Sequence, residues 1–189
     1  NATYLKDHKY EVNSINYKNV ESDLRAFSQS AFGDDLLLNY SSFNVYFDKD
    51  KIKSKGLDFA VVKQSFKEYL YTKEYVKRVF TEEEILSATG NDVLLDYVSK
   101  GYDPTQNGEL YFVYKPGYLE YSTTGTTHGS PYTYDTHVPI IFYGWHIKKG
   151  KTNDRKEITQ IAPTVTQLLK ITMPNSTNAK VLTEIVDAK

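Results

Sequence analysis

Apolar residues stand at Val20, Leu24, Phe27 and Ala31, three or four apart, with Gly33 just beyond. That spacing lays one apolar stripe along a helix over 19–32, closed where glycine can take a left-handed conformation. Two β-prone runs follow at 36–40 and 44–47, broken by Ser41 and Ser42, and read as a bent strand or a loose hairpin. The stretch KDKIKSKG then reads as a charged, flexible connection. Asp58 is placed to cap a helix reaching Tyr71 that hides Phe59, Val62, Phe66, Tyr69 and Leu70 along one side.

YVKRVF is a short strand, and Thr81 with Glu84 three residues on makes a capping box for the turn TEEEIL. Another helix is expected over 92–99, ending near Gly101. The strand ELYFVYK over 109–115 carries large side chains on both faces, as an interior strand covered from two sides does. The alternation of strand and helix over 36–115 gives a small α+β unit of split βαβ kind. Beyond it, KPGYLEYS turns into a further strand and TTGTTHGSPY is a loop. Residues 138–143 are expected as a buried strand ended by Gly144. Ile158, Ile161, Ala162, Val165, Leu168 and Leu169 share a face of a helix returning over it, and AKVLTEIV is a last edge strand.

The chain has 189 residues and a formal net charge of -1, with Lys and Arg scattered, so it lacks the concentrated positive charge that a nucleic-acid backbone demands. No run approaches the roughly 20 apolar residues of a membrane-spanning helix, and the first dozen residues lack the pattern of a signal peptide. With no cysteine, a transition metal would be held by histidine and carboxylate. The 17 tyrosines are read as ordinary half-buried residues.

Only four histidines are available for chemistry. His8 and His146 fall in surface-looking segments, and His137 immediately precedes an apolar run, placed either to bond backbone there or to supply a second imidazole. His128 sits in a loop after a strand, the position where open α/β sheets place ligands. Gly125 and Gly129 allow close backbone approach, and Thr124, Thr126, Thr127 and Ser130 offer short hydroxyls to orient the ring. Asp135 is placed to accept a nearby N–H or to orient an imidazole. Spacing alone leaves His128 open between a hydrogen-bonded loop residue and a metal ligand.

The ordered set HGSPY, HVPIIFYG and IAPT, with a helix-forming run after it, closely resembles the C-terminal end of the alkaline phosphatase superfamily, nearest the phosphate-irrepressible phosphatases and the type I phosphodiesterase and nucleotide pyrophosphatase group. The resemblance implies an α/β (α+β) fold: the C-terminal part of an alkaline-phosphatase-like sheet with an inserted ferredoxin-like unit. Residues 1–35 would be a helix and connection of the core, 36–121 the insert, and 122–189 the C-terminal core segment with the histidine loop, strand and helix. It implies hydrolysis of phosphate esters with two zinc ions, His128 being a ligand of one of them, in a periplasmic or otherwise extracytoplasmic enzyme.

The family's nucleophile and its other ligands belong to an upstream segment that has no counterpart here. Asp7–His8–Lys9 lacks the glycine that follows the family's Asp–His pair. The resemblance therefore implies a fragment inactive by itself and unable to retain zinc, with uncovered sheet surface that favours self-association or a partner chain. Two departures stand out: Gln160 replaces the usual acidic residue, which would pass helix capping to Thr159, and His146 replaces a usual glycine. The rival reading is a non-catalytic α+β interaction module with a structural histidine loop; a third is an inactive relative that keeps the loop for its fold.

Overall fold

A computed structural model describes residues 7–9, 13–120 and 128–186. Two compact units divide after Thr136.

The first unit opens with strand β1 (Asn13–Ile15) and helix α1 (Tyr17–Phe32). Asn16 caps α1 by accepting from the Lys18 N–H at 3.0 Å, and Gly33 ends it at φ 71°, as the apolar stripe predicts. Strands β2 (Leu37–Ser41) and β3 (Asn44–Phe47) form an antiparallel hairpin, settling the choice between bent strand and hairpin. Helix α2 (Lys49–Ser54) occupies the stretch expected as a flexible connection. Its lysines hide two ordering devices: Asp48 caps it, and Ile52 is a buried anchor in the core.

Asp58 caps α3 (Phe59–Tyr71) through the Ala60 and Val61 amides. Strand β4 (Val76–Thr81), α4 (Glu82–Leu86) with its Thr81–Glu84 capping box, and α5 (Val93–Lys100) follow, then β5 (Leu110–Tyr114) and β6 (Tyr118–Glu120). The sheet runs β2-β3-β5-β4, all antiparallel, with β5 interior. One face carries the main core, where Val20, Leu24, Phe66 and Leu70 meet Val45, Phe47, Leu110 and Phe112. The opposite face packs Phe80 and Val113 with Ile85 and the α5 residues Leu94, Leu95 and Val98. Strand β5 is thus covered from both sides, as its large side chains imply.

A separate parallel pair joins β1 to β6, Ile15 opposite Glu120. Gly108 makes a close approach: a Cβ there would lie 2.4 Å from the Val45 carbonyl oxygen. Any side chain would force the β3–β5 contact apart.

The second unit, 137–186, holds α7 (Ile161–Leu169), which follows the four-residue α6 (Thr133–Thr136) of the first unit in chain order. Here several expectations fail. Residues 138–143 are irregular rather than a buried strand, with Ile141 83% and Tyr143 fully exposed, because no strand pairs with them among the described residues. Helix α7 buries Pro163, Thr164 and Thr166, leaves Ile161 and Leu168 half-buried and leaves Leu169 exposed, so its apolar stripe is only partly covered. Glu157 and Gln160, not Thr159, form the capping box, on a 3-10 turn leading into α7. The expected edge strand is a 3-10 turn, Thr183–Ile185, whose ladder contact among the described residues is a single antiparallel bridge from Val186 to Ile147, with the Lys156–Glu184 ion pair and the Leu182 N–H on Thr164 fastening the segment further.

Candidate functional site

Strand β6 ends at Glu120 and the described chain resumes at His128, an exposed residue at the head of a tight turn. Gly129 follows at φ 119°, where an added Cβ would meet nothing nearer than the Phe43 ring at 3.8 Å, so the backbone angle rather than crowding demands glycine. The turn is held by Asp135 in α6, whose Oδ2 accepts from the Gly129 N–H at 2.8 Å and the Ser130 N–H at 2.6 Å. Burial alone would raise the Asp135 carboxyl. The two amide donors and the neighbouring His128 outweigh it and hold the group below the ordinary carboxylate range. Asp135 thus does what its position predicts, accepting local N–H groups beside the imidazole.

The rest of the turn is fastened to the sheet. The Tyr132 hydroxyl donates to the Tyr114 carbonyl at 2.6 Å, and the Tyr134 ring stacks on Tyr132 with centroids 5.6 Å apart. The Ser130 hydroxyl is buried without a hydrogen-bond partner among the described residues. Thr124, Gly125, Thr126 and Thr127, read as supports for the histidine, lie outside the described residues.

Between this turn and β5–β6 lies a cavity of about 390 Å³, walled mainly by aromatic rings, with His128 and Asp135 in its lining. A neighbouring cavity of about 350 Å³ is lined by Tyr17, Tyr40 and the β2–β3 turn, and it shares Phe43, Glu120 and His128 with the first. His128 is the one histidine that lines either; His8 and His137 lie on the surface, and His146 packs against its neighbour Trp145.

A cluster that sequence reasoning missed lies in the shared wall. Glu120 Oε1 accepts from the Tyr40 hydroxyl at 3.2 Å and the Tyr114 hydroxyl at 3.4 Å, and the two hydroxyls are 3.3 Å apart. Burial pushes the Glu120 carboxyl up, against the pull of its two tyrosine donors, and pushes both phenols well above their usual range. The available signal was an acid between tyrosines in the apolar-leaning sequence YLEY, a poor place for a charge unless hydroxyls meet it.

Among the described residues no three or more His, Cys, Asp or Glu side chains gather in a way that would hold a metal ion. His128 supplies one imidazole, and Asp135 is committed to two backbone amides. A zinc centre takes at least three protein ligands, so these residues fit one position of such a shell and do not make the shell.

No protein-family profile matches the chain. It is 32% identical over 185 residues, 97% of its length, to the alkaline phosphatase PafA of Elizabethkingia meningoseptica, covering 34% of that protein. It is also 32% identical over 169 residues to the alkaline phosphatase PhoV of Synechococcus elongatus, with 88% of this chain and 30% of the relative covered. A crystal structure of wild-type PafA superposes with a TM-score of 0.84 at 30% identity, over 98% of this chain and 36% of that one. In sequence and in fold the chain belongs to the alkaline phosphatase superfamily, and it spans about a third of the length of the relatives it matches.

Proposed function

We propose that this chain is part of a zinc-dependent phosphoric ester hydrolase in which His128 is one ligand of a two-zinc centre, the other donors coming from a longer polypeptide. The observation that carries the reading is local: an exposed imidazole heads a turn whose next two amides are clamped by Asp135, a rigid mount for a donor that must reach outward. Similarity to two alkaline phosphatases over most of the chain supports the reaction class. When bound, a zinc pair supplies Lewis-acid polarisation of the phosphoryl group and activates the attacking oxygen. This chain's residues hold and orient: His128 presents a ring nitrogen, Asp135 and Gly129 fix the turn, and Tyr132 ties it to β5.

In this reading the 189-residue chain is inactive alone and does not retain zinc, because one imidazole leaves most of the shell unfilled. The enzyme works outside the cytoplasm, as the resemblance implies. The uncovered side chains of Val138, Ile141, Tyr143 and Trp145 make the isolated chain self-associate.

The test is hydrolysis of 4-nitrophenyl phosphate by the longer protein that contains this chain. His128→Ala is expected to lower turnover by roughly 100-fold or more and to reduce bound zinc measured by mass spectrometry. Full activity and full zinc content in that variant would remove the assignment. Light scattering of the isolated chain is expected to report dimers or larger species; a clean monomer counts against self-association.

A further inference from the structure

We propose that the cavity between the histidine turn and strands β5 and β6 receives the alcohol half of the ester, and that it selects a flat aromatic alcohol over a small alkyl one. This rests on the hydrolase reading of His128 and adds the substrate class. The cavity, at about 390 Å³, has the size of small-molecule sites and far exceeds what a short alkyl group fills. Its walls are rings: Tyr132 and Tyr134 stack on the turn side, and Phe43 stands edge-on to Tyr114 at 5.1 Å on the sheet side. Aromatic walls of this kind favour a flat guest through offset stacking and edge contacts.

How Phe43 comes to stand there is informative. The β2–β3 hairpin turns through Ser42 and Phe43, both with left-handed backbone, at φ 49° and 69°. A two-residue turn with both residues at positive φ is served best by Asn-Gly, and a bulky aromatic in it is strained. The strained residue is also one whose ring lines both cavities, so the turn holds a ring in the wall at the expense of its own backbone. Chemistry for orienting the guest is present as well. Both tyrosine hydroxyls fall on Oε1 of Glu120, so among the described residues Oε2 stays outside that network as an acceptor for an O–H or N–H carried on the ring. With His128 lining the same cavity, a phosphoryl group near the imidazole places the ester's alcohol portion among the rings. The cavity binds; it makes and breaks no bond itself.

The experiment titrates 2-naphthol into the 189-residue chain and follows the amide resonances of Gly117 and Gly129, with 2-butanol as comparison. Saturable shifts at these two amides with 2-naphthol and none with 2-butanol are expected. Tyr134→Ala, which removes a largely exposed ring, and Phe43→Gly, which relieves the left-handed backbone, should each weaken binding roughly three- to tenfold. Far-UV circular dichroism confirms that both variants remain folded. Absence of saturation, equal response to 2-butanol, or binding unchanged in both variants overturns the subsite. If the longer protein loses hydrolysis with His128→Ala while the chain ignores 2-naphthol, the subsite alone falls. If His128→Ala stays fully active, the hydrolase reading falls and takes the leaving-group role with it.

Discussion

Helix α3 turns Val62, Phe66 and Leu70 inward and leaves each no more than 1% exposed, whereas α7, with Ile161, Val165 and Leu169 at similar spacing, leaves Val165 38% and Leu169 60% exposed. The difference lies in what faces them. Opposite α3 stand β3 and β5, whose Phe47, Leu110 and Phe112 complete a core. Besides Pro163, what α7 buries is a pair of hydroxyls: Thr164 donates to the Gln160 carbonyl at 2.6 Å and accepts from the Leu182 N–H at 2.9 Å, and Thr166 donates to the Pro163 carbonyl at 3.0 Å. An amphipathic pattern states which side of a helix would gain by being covered; the cover itself must come from other residues.

The comparison breaks most visibly at Phe66. Replacing it with alanine removes a fully buried ring between α3 and the sheet and is expected to cost about 3–5 kcal/mol, read from urea unfolding of the first unit. An equal cost at Leu169 would show that the two helices are covered alike. Next in size is Thr164→Val, which keeps the shape but strands the buried Leu182 amide, for a loss of about 1–3 kcal/mol in the second unit.

Glu120→Gln changes a slope. Burial raises the Glu120 carboxyl in the folded chain, so the folded form keeps its proton after the unfolded form has lost it. Its contribution is therefore fully present below the unfolded value of about 4.3 and is lost as pH climbs through the folded one. The glutamine variant should flatten that decline in a series of unfolding curves. Glu184 of the second unit, held low by Lys156, acts with the opposite sign: its contribution is present above the unfolded value and is lost as pH falls through the folded one. Leu169→Ser is expected to change stability of the isolated chain by no more than about 0.5 kcal/mol, since the side chain leaves one solvent-facing state for another.

Much of the first unit was legible because its signals are local. Gly33, Asp58 and the Thr81–Glu84 box mark helix ends within a few residues, and Ser41 and Ser42 mark the break between the hairpin strands, whose turn is Ser42–Phe43. Helix α2 was hidden because lysines crowd a single buried isoleucine, and short helices owe their order to such tertiary anchors rather than to composition. The pairing of β1 with β6 joins residues about a hundred positions apart, and no periodicity encodes it. At the site, Asp135 was legible as an acceptor of nearby amides, and His128 stood out through its motif. The Tyr40–Tyr114–Glu120 cluster was not, since three separate strands bring it together.

Asp135 grips the two amides immediately after the imidazole as part of the folded turn. The entropy of fixing that backbone is therefore surrendered during folding, ahead of any ligation event. In the proposed role of zinc ligand, the donor therefore stands on backbone whose next two amides are already fixed before any metal arrives, so the affinity of the centre rests on the partners the ion finds elsewhere rather than on ordering Gly129 and Ser130.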